Sequence, residues 1–503
     1  MKISIERGTL LKAVAQAQSV VERRNTIPIL ANVLIEADDG SVTLRATDLD
    51  IEVIDSVAAT IERGGATTVS AVMLHEIVRK LPDGALVELE DDGASGRMTV
   101  RAGRSNFSLT TLPREDFPVM ASPDYTTRFA APAGVLRRLF EKTRFAISTE
   151  ETRYYLNGVY MHLADGPEGR VLRCVATDGH RLAQVDAPIP EGADGMPGVI
   201  VPRKTVGELR KLPDGALVQL ADDPAQGRLT VQAGRSNFSL ATLPKEDFPI
   251  MASSEYSSNF SAPAKTLRRL FDKTKFAIST EETRYYLNGV YMHVADGEDG
   301  QALRCVATDG HRLARVDTPL PDGAQGMPGV IVPRKTVGEL RKLLEDDDAE
   351  IAVSVSETKL RFATPEITLT SKVIDGSFPD YTRVIPTANT RRLELDASEF
   401  ARAVDRVATV SSERSRAVKL SLDEDRLILS VNAPDSGAAT EELAVAYNDD
   451  PLEIGFNAKY LLEIASQVDR ENAVFLFNDS GDPTLMREGD DSSAVYVVMP
   501  MRV

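Results

Sequence analysis

The chain has 503 residues, 42% of them hydrophobic and 27% charged, with no tryptophan and a formal net charge of −18. That size suggests about three to five globular domains. Residues 1–7 lack the apolar run of a signal peptide, and no stretch approaches the ~18 apolar residues that span a membrane, so a cytoplasmic protein without a membrane partner is expected.

Apolar residues at helical spacing predict eight short helices, over 8–21, 70–81, 132–145, 203–211, 263–276, 334–344, 396–407 and 457–468. Strands of alternating pattern follow each of them, such as Ser41-Val42-Thr43-Leu44-Arg45-Ala46 and Lys359-Leu360-Arg361-Phe362, with Asp-Gly turn signals. Asp396 and Glu399 have capping-box spacing, and Pro132 and Pro263 suit a first helical turn. Eight helix-plus-strands modules pair into four α+β domains, placed at 1–127, 128–258, 259–389 and 390–503.

A long internal repeat underlies this order. Residues 80–210 align without a gap on 211–341, with 102 identities in 131 positions. A period of that length is a whole domain, not a solenoid repeat. The repeat begins inside a domain, at the end of a second helix: Val78-Arg79-Lys80-Leu81 corresponds to Leu209-Arg210-Lys211-Leu212. The second domain is therefore expected to be a hybrid, its first half like that of domain three and its second half like that of domain one.

The chemistry-bearing residues are few. Cys174 and Cys305 are duplicates without CxxC spacing, so they read as small buried residues and not as a metal site or disulfide. Four of the five histidines are likewise two positions duplicated, and no HExxH, GxSxG or P-loop motif occurs. Asp178 and His180 have no nucleophile beside them. No catalysis, metal or cofactor is expected.

Net acidity argues against nucleic acid, because affinity for DNA comes from Lys and Arg on phosphates, but the basic residues are concentrated. The helix at 132–145 carries Arg137, Arg138, Lys142 and Arg144 against Glu141, and its copy carries Lys265, Arg268, Arg269, Lys273 and Lys275 against Asp272. One such run by itself is ordinarily a solvated face.

Ordered motifs along the whole chain resemble the bacterial DNA polymerase III β subunit, the β sliding clamp. They include Ile27-Pro28-Ile29-Leu30, Ala46-Thr47-Asp48-Leu49-Asp50, Ala102-Gly103-Arg104-Ser105-Asn106-Phe107, Arg153-Tyr154-Tyr155-Leu156-Asn157-Gly158, Ala176-Thr177-Asp178-Gly179-His180-Arg181-Leu182, Ile200-Val201-Pro202-Arg203-Lys204, Phe378-Pro379-Asp380-Tyr381 and the C-terminal Tyr496-Val497-Val498-Met499-Pro500-Met501-Arg502-Val503. The resemblance implies the DNA-clamp fold: tandem domains of two modules each, helices lining a ring, sheets outside, and two chains joined head to tail. Family members have three domains, so this chain departs by one.

The resemblance also implies sites. Arg24, Lys204 and Lys335, with Arg137, Arg138, Lys142, Arg268, Arg269 and Lys273 of the basic helices, become phosphate contacts to duplex DNA without sequence preference. A cleft for the short linear motifs of polymerases falls on Leu287, Thr308, Gly310, His311, Arg312, Leu313, Pro379, Arg383, Val384, Val497, Val498, Met499, Pro500 and Met501. The second domain keeps Leu156, Thr177, Gly179, His180, Arg181 and Leu182, but reads Asp247-Phe248-Pro249-Ile250-Met251 where the cleft is completed elsewhere, so one peptide site per chain is expected. The dimer edges fall on Phe107 and Leu109 against Thr409 and Val410. Phe238 and Leu240 repeat the first edge at a place in the chain that would pair it with domain one. Expected partners are the DNA polymerase III catalytic subunit and other polymerases, the clamp loader, mismatch-repair and ligase-type clamp binders, and a second copy of the chain. An eight-domain ring is favoured over a six-domain ring with domain one displaced, and the alternative to a working clamp is a clamp-derived interaction protein that does not encircle DNA.

Overall fold

The computed structural model describes all residues except 22–26, 39, 119–126, 210–214, 224–226, 235, 244–247, 250–254, 298–299, 345–347, 412–415, 435, 470–471 and 503. The chain divides into two compact units, Met1–Met251 and Ala252–Val503. Among the described residues there are eight α-helices: α1 (Arg7–Val20), α2 (Ala71–Lys80), α3 (Ala133–Thr143), α4 (Arg203–Leu209), α5 (Ala264–Asp272), α6 (Arg334–Leu343), α7 (Ala397–Ala408) and α8 (Ala458–Ala465). All eight expected helices are present. The expected ends at 145 and 276 are short 3₁₀ turns, Arg144–Ala146 and Lys275–Ala277, that tighten the chain after α3 and α5.

Every helix starts directly after a strand and is followed by a three-stranded meander, which makes eight strand–helix–meander modules. Asp396 caps α7 as its spacing suggests, accepting from the Glu399 N–H at 2.6 Å. Pro132 and Pro263 stand one position earlier than expected, at the N-cap. Each is also the last residue of the preceding strand, and its fixed φ suits the corner between strand and helix.

Modules pair by reciprocal exchange. The opening strand Lys2–Glu6 joins the meander of module 2 at Leu86–Asp91, while Gly65–Ser70 joins that of module 1 at Asn32–Asp38. The same exchange links modules 3 and 4, through Thr127–Pro132 on Leu217–Asp223 and Val199–Pro202 on Gly158–Gly166. It links modules 5 and 6 through Ser258–Pro263 on Glu350–Val355 and Val330–Pro333 on Gly289–Gly297, and modules 7 and 8 through Arg391–Asp396 on Asn472–Phe477 and Leu452–Asn457 on Ala417–Asp423. The two helices of each pair pack on one another and bury their apolar stripes against the sheets, as with Leu10, Val14 and Ala17 of α1 and Leu74 and Val78 of α2. Neither module of a pair completes its sheets alone.

Within each unit, last strands make one further joint. In the first unit, Ile51–Asp55 of module 1 pairs antiparallel with Ser236–Leu240 of module 4. In the second, Arg312–Val316 of module 5 pairs with Ala494–Val498 of module 8. Each joint extends a sheet from one module pair into another.

Candidate functional sites: a cleft, basic helices and two strand edges

The cleft is built on the turn between strands Gly300–Thr308 and Arg312–Pro319. The Asp309 carboxylate accepts from the backbone N–H groups of His311 at 2.9 Å and Arg312 at 3.0 Å, and the Thr308 hydroxyl donates to the Arg312 carbonyl at 2.7 Å. Gly310 has φ +89°, so the turn requires glycine for its conformation; a Cβ there would stand 2.9 Å from the Arg284 guanidinium, which would have to move aside.

The last strand of module 8 lies beside this turn, with Arg312 opposite Val498 and Leu313 opposite Val497. The chain continues past it, and the Met499 N–H donates to the His311 carbonyl at 2.8 Å. Leu313, Val306 and Val497 form a buried floor with Tyr381, flanked by Tyr291, Phe378 and Ile385. The Tyr381 hydroxyl is fixed by His293 Nε2 at 3.0 Å and Arg304 at 3.3 Å. Burial lowers the His293 pKa, which favours the neutral ring that the tyrosine can donate to. Burial works against the charge of Arg304, but its hydrogen bonds to Asp317 and Tyr381 outweigh it and raise the pKa. Around the floor stands an apolar rim: Val384 is 46% exposed, Met499 37% and Met501 38%. Pro379 is also exposed, and Arg383 points to solvent with Asp380 at 3.1 Å. Leu287 is buried at the end of the 3₁₀ turn Glu282–Leu287.

Arg312 differs from the expectation that it lines the slot. It is 7% exposed, pairs with Asp309 at 3.1 Å and with Glu463 of α8, and donates to the Phe276 carbonyl at 2.6 Å. Its guanidinium also lies over the rings of Phe276 and Tyr460. A buried guanidinium needs such compensation for its lost water, so Arg312 is a brace behind the turn. Tyr460, which stacks on His311 at a centroid distance of 6.4 Å, and Glu463 were not singled out from the sequence. Their spacing puts them on one face of α8, a signal that was present without an indication of what they face.

Modules 3 and 4 repeat the turn. Thr177 donates to the Arg181 carbonyl at 2.8 Å, Arg181 pairs with Asp178 and lies over Phe145, and Gly179 has φ +85°. Asp178 is therefore occupied by its own turn, accepting from the His180 N–H at 3.0 Å. Leu156, Val175, Leu182, Ile200 and Phe248 form a small buried cluster. Asp247, Ile250 and Met251 lie outside the described residues. Cys174 and Cys305 are buried on equivalent strands, as expected, and burial raises both thiol pKa values.

The basic residues differ in exposure and in partners. Lys335 is exposed at the start of α6. Arg137, Arg138, Lys142, Arg268 and Arg269 are half-buried, and Arg269 donates to the Asp317 carbonyl and the Ser493 hydroxyl. Lys204 is partly exposed and ion-paired with Asp48 in the turn of module 1. Lys273 departs from its expected role, because it is buried and pairs with Asp469 at 2.7 Å and Glu488 at 3.7 Å. That carboxylate pair, with the Gln467 carbonyl, holds its ammonium between modules 5 and 8. Arg24 lies outside the described residues.

The dimer calls fall on two strand edges. Over Ser105–Thr110, the side away from Arg97–Ala102 has no ladder partner among the described residues, and neither has the outer side of Gly437–Ala444. Phe107 is 37% exposed on the first edge. The same sequence, Ser-Asn-Phe-Ser-Leu, recurs at 236–240, where the strand is paired and Phe238 is 5% exposed and Leu240 fully buried. Thr409 caps the end of α7, and Val410 follows it half-buried. Leu109 is in the core of modules 1 and 2.

Repeated two-module domains, joined last strand to last strand, define the DNA-clamp fold. The description "DNA polymerase III beta subunit" fits the chain domain by domain: the N-terminal domain at 1–121, the central domain twice, at 131–249 and 261–380, and the C-terminal domain at 382–502. The chain belongs to this family, the bacterial β sliding clamps. It is 40% identical over 503 residues to the beta sliding clamp of Caulobacter vibrioides and 30% identical over 504 to that of Escherichia coli, with 100% of each sequence covered. Among solved structures it resembles the DnaN sliding clamp of Bartonella birtlesii bound to griselimycin, with TM-score 0.54 and 37% identity, covering 100% of both chains. It also resembles the C. crescentus beta sliding clamp with polyethylene glycol bound to a putative beta-motif tethering region, with TM-score 0.54 and 39% identity, covering 100% of this chain and 99% of that one. The function is that of a sliding clamp. No helix among the described residues is long and apolar enough to cross a membrane.

Proposed function

We propose that two copies of this chain close head to tail around duplex DNA and tether polymerases and other clamp binders through the cleft, acting by retention and not by catalysis. The four module pairs act as four domains, with borders near 127, 258 and 389. The observation that carries the dimer is the duplicated strand: the copy paired on both sides buries Phe238, and the copy whose outer side has no partner among the described residues leaves Phe107 exposed. The edge at 105–110 is thus ready for a second strand, and the free edge at 437–444 of another copy, with Thr409 and Val410 beside it, supplies one.

The ladder between modules 1 and 4 supports four domains of each chain on the rim. Displacing the first domain would break that ladder and expose apolar surface. A closed dimer then has eight domains, each turning about 45° instead of the about 60° of a six-domain ring.

Binding to DNA should be independent of sequence and weaken steeply with salt. Retention on nicked circular DNA, lost on linearisation, tests encirclement; equal loss from both forms would leave only the interaction-protein reading. Changing Arg24, Lys204 and Lys335 together to glutamine should reduce the salt-dependence slope by roughly 2 to 3 units, one phosphate contact each, with peptide affinity unchanged. Glutamine is the better replacement because an acid at position 204 would face Asp48. An unaltered slope would remove these residues from the DNA path.

A further inference from the structure

Beside the cleft, and sharing Pro500 and Met501 with it, is a groove of about 1070 Å³ on the outward face of the module 7 sheet. Its floor is made of small residues from three adjacent strands, Ala417, Ser430 and Gly455, and is crossed by the exposed ion pair of Lys419 and Glu453 at 2.9 Å. One wall is the tail at 500–502 and the other is the Ser480-Gly481 turn. We infer that this groove takes the extended segment flanking the motif bound in the cleft, so that a partner's peptide runs from the apolar slot across the tail and onto the module 7 sheet. The inference rests on the cleft reading above.

Three observations carry it. First, the groove is continuous with the cleft through shared residues, so a chain leaving one enters the other. Second, a floor of Ala, Ser and Gly lets a peptide backbone approach closely, and the Lys419–Glu453 pair and Asn432 offer polar contacts without an apolar pocket that demands one side chain. Third, the strand Leu452–Asn457 has Ala417–Asp423 on one side only, and on the other the Met501 N–H donates to the Gly455 carbonyl at 2.7 Å. That edge therefore already accepts an antiparallel main chain. Residues two apart in a strand present their backbone groups to the same side, so Glu453 offers the next pair of groups along the edge. Strand addition gives affinity with little sequence demand, which suits a surface serving several partners.

The test compares a short peptide with apolar anchors with the same peptide lengthened by about six residues at either end, using fluorescence anisotropy on the full chain. One lengthened peptide should bind about tenfold tighter, or about 1.4 kcal/mol. Ser430→Trp, which fills the groove from an outward-facing position, should abolish that gain and leave the short peptide's affinity unchanged. Asn432→Arg is a second variant, whose bulk and charge should reduce the gain. If neither lengthened peptide gains, or the gain survives both variants, the groove is not a peptide path. If the short peptide does not bind the unaltered chain, the cleft reading fails and the groove falls with it.

Discussion

Phe107→Asp should convert the dimer to monomers, raising the dissociation constant by about a hundredfold or more, as expected for a central aromatic anchor replaced by a charge. Phe107 is exposed on an unpaired edge, so the change costs the isolated chain little. Leu109 is unsuitable for the same experiment, because it packs in the core of modules 1 and 2 and a charge there would unfold the domain. Phe238→Asp is the informative control. Phe238 is buried at the ladder between modules 1 and 4, so the change should lower the melting temperature and loosen the first unit without separating chains. Sedimentation would distinguish the rings: a dimer that survives Phe107→Asp but falls apart with Phe238→Asp belongs to the six-domain form. Six lobes with a protruding domain in particle images would also refute the enlarged ring.

Titration with a clamp-binding peptide should give one site per chain, and His311→Ala with Leu313→Ala should abolish it, a loss of about a hundredfold or more. His311→Ala removes the ring stacked on Tyr460, and Leu313→Ala truncates the floor. Leu313 is buried, so its truncation also leaves a cavity; Val384→Asp, at an exposed rim position, should weaken binding without that cost. Modules 3 and 4 repeat the turn around Gly179, but the tail Met499 to Met501 and the α8 residues Tyr460 and Glu463 belong to the last module alone. A turn without those walls buries too little of a ligand to hold it. Two equivalent sites per chain, or binding that survives all these changes, would refute the assignment.

The eight helices were legible because each carries a narrow apolar stripe and begins where a strand ends. Local signals of this kind survive in any context. The turn at Gly310 was legible for the same reason, since Thr-Asp-Gly specifies its own hydrogen bonds. What depends on distant residues was not. Nothing near Arg312 in sequence shows that Glu463 and Tyr460 will enclose it, and nothing near Lys273 announces Asp469 and Glu488. The resemblance puts Arg312 in the peptide cleft and Lys273 on DNA; the structure buries both because acidic partners from module 8 offset the loss of water. Lys204, which the resemblance puts on DNA, meets Asp48 across the joint between modules 1 and 4. The reciprocal exchange of opening strands was invisible as well, because two strands of the same pattern can pair with either meander.

That exchange explains how the chain tolerates a seam in the middle of a domain. The repeat restarts at Lys211, just past α4, so the strand and helix opening module 4 come from one kind of domain and its meander from another. The opening strand Val199–Pro202 completes the meander of module 3, which comes from the same kind of domain, and meets its own through one bridge, where the Leu243 N–H donates to the Ile200 carbonyl at 3.2 Å. Among the described residues, unlike parents are joined by the ladder of Thr127–Pro132 against Leu217–Asp223 and that single bridge, both held by backbone groups that are the same in every residue but proline. An insertion one period long can therefore begin at any equivalent point, within a domain as well as between domains, and leave every sheet complete. A clamp built this way can be lengthened like a necklace, a link at a time, wherever the cut is made.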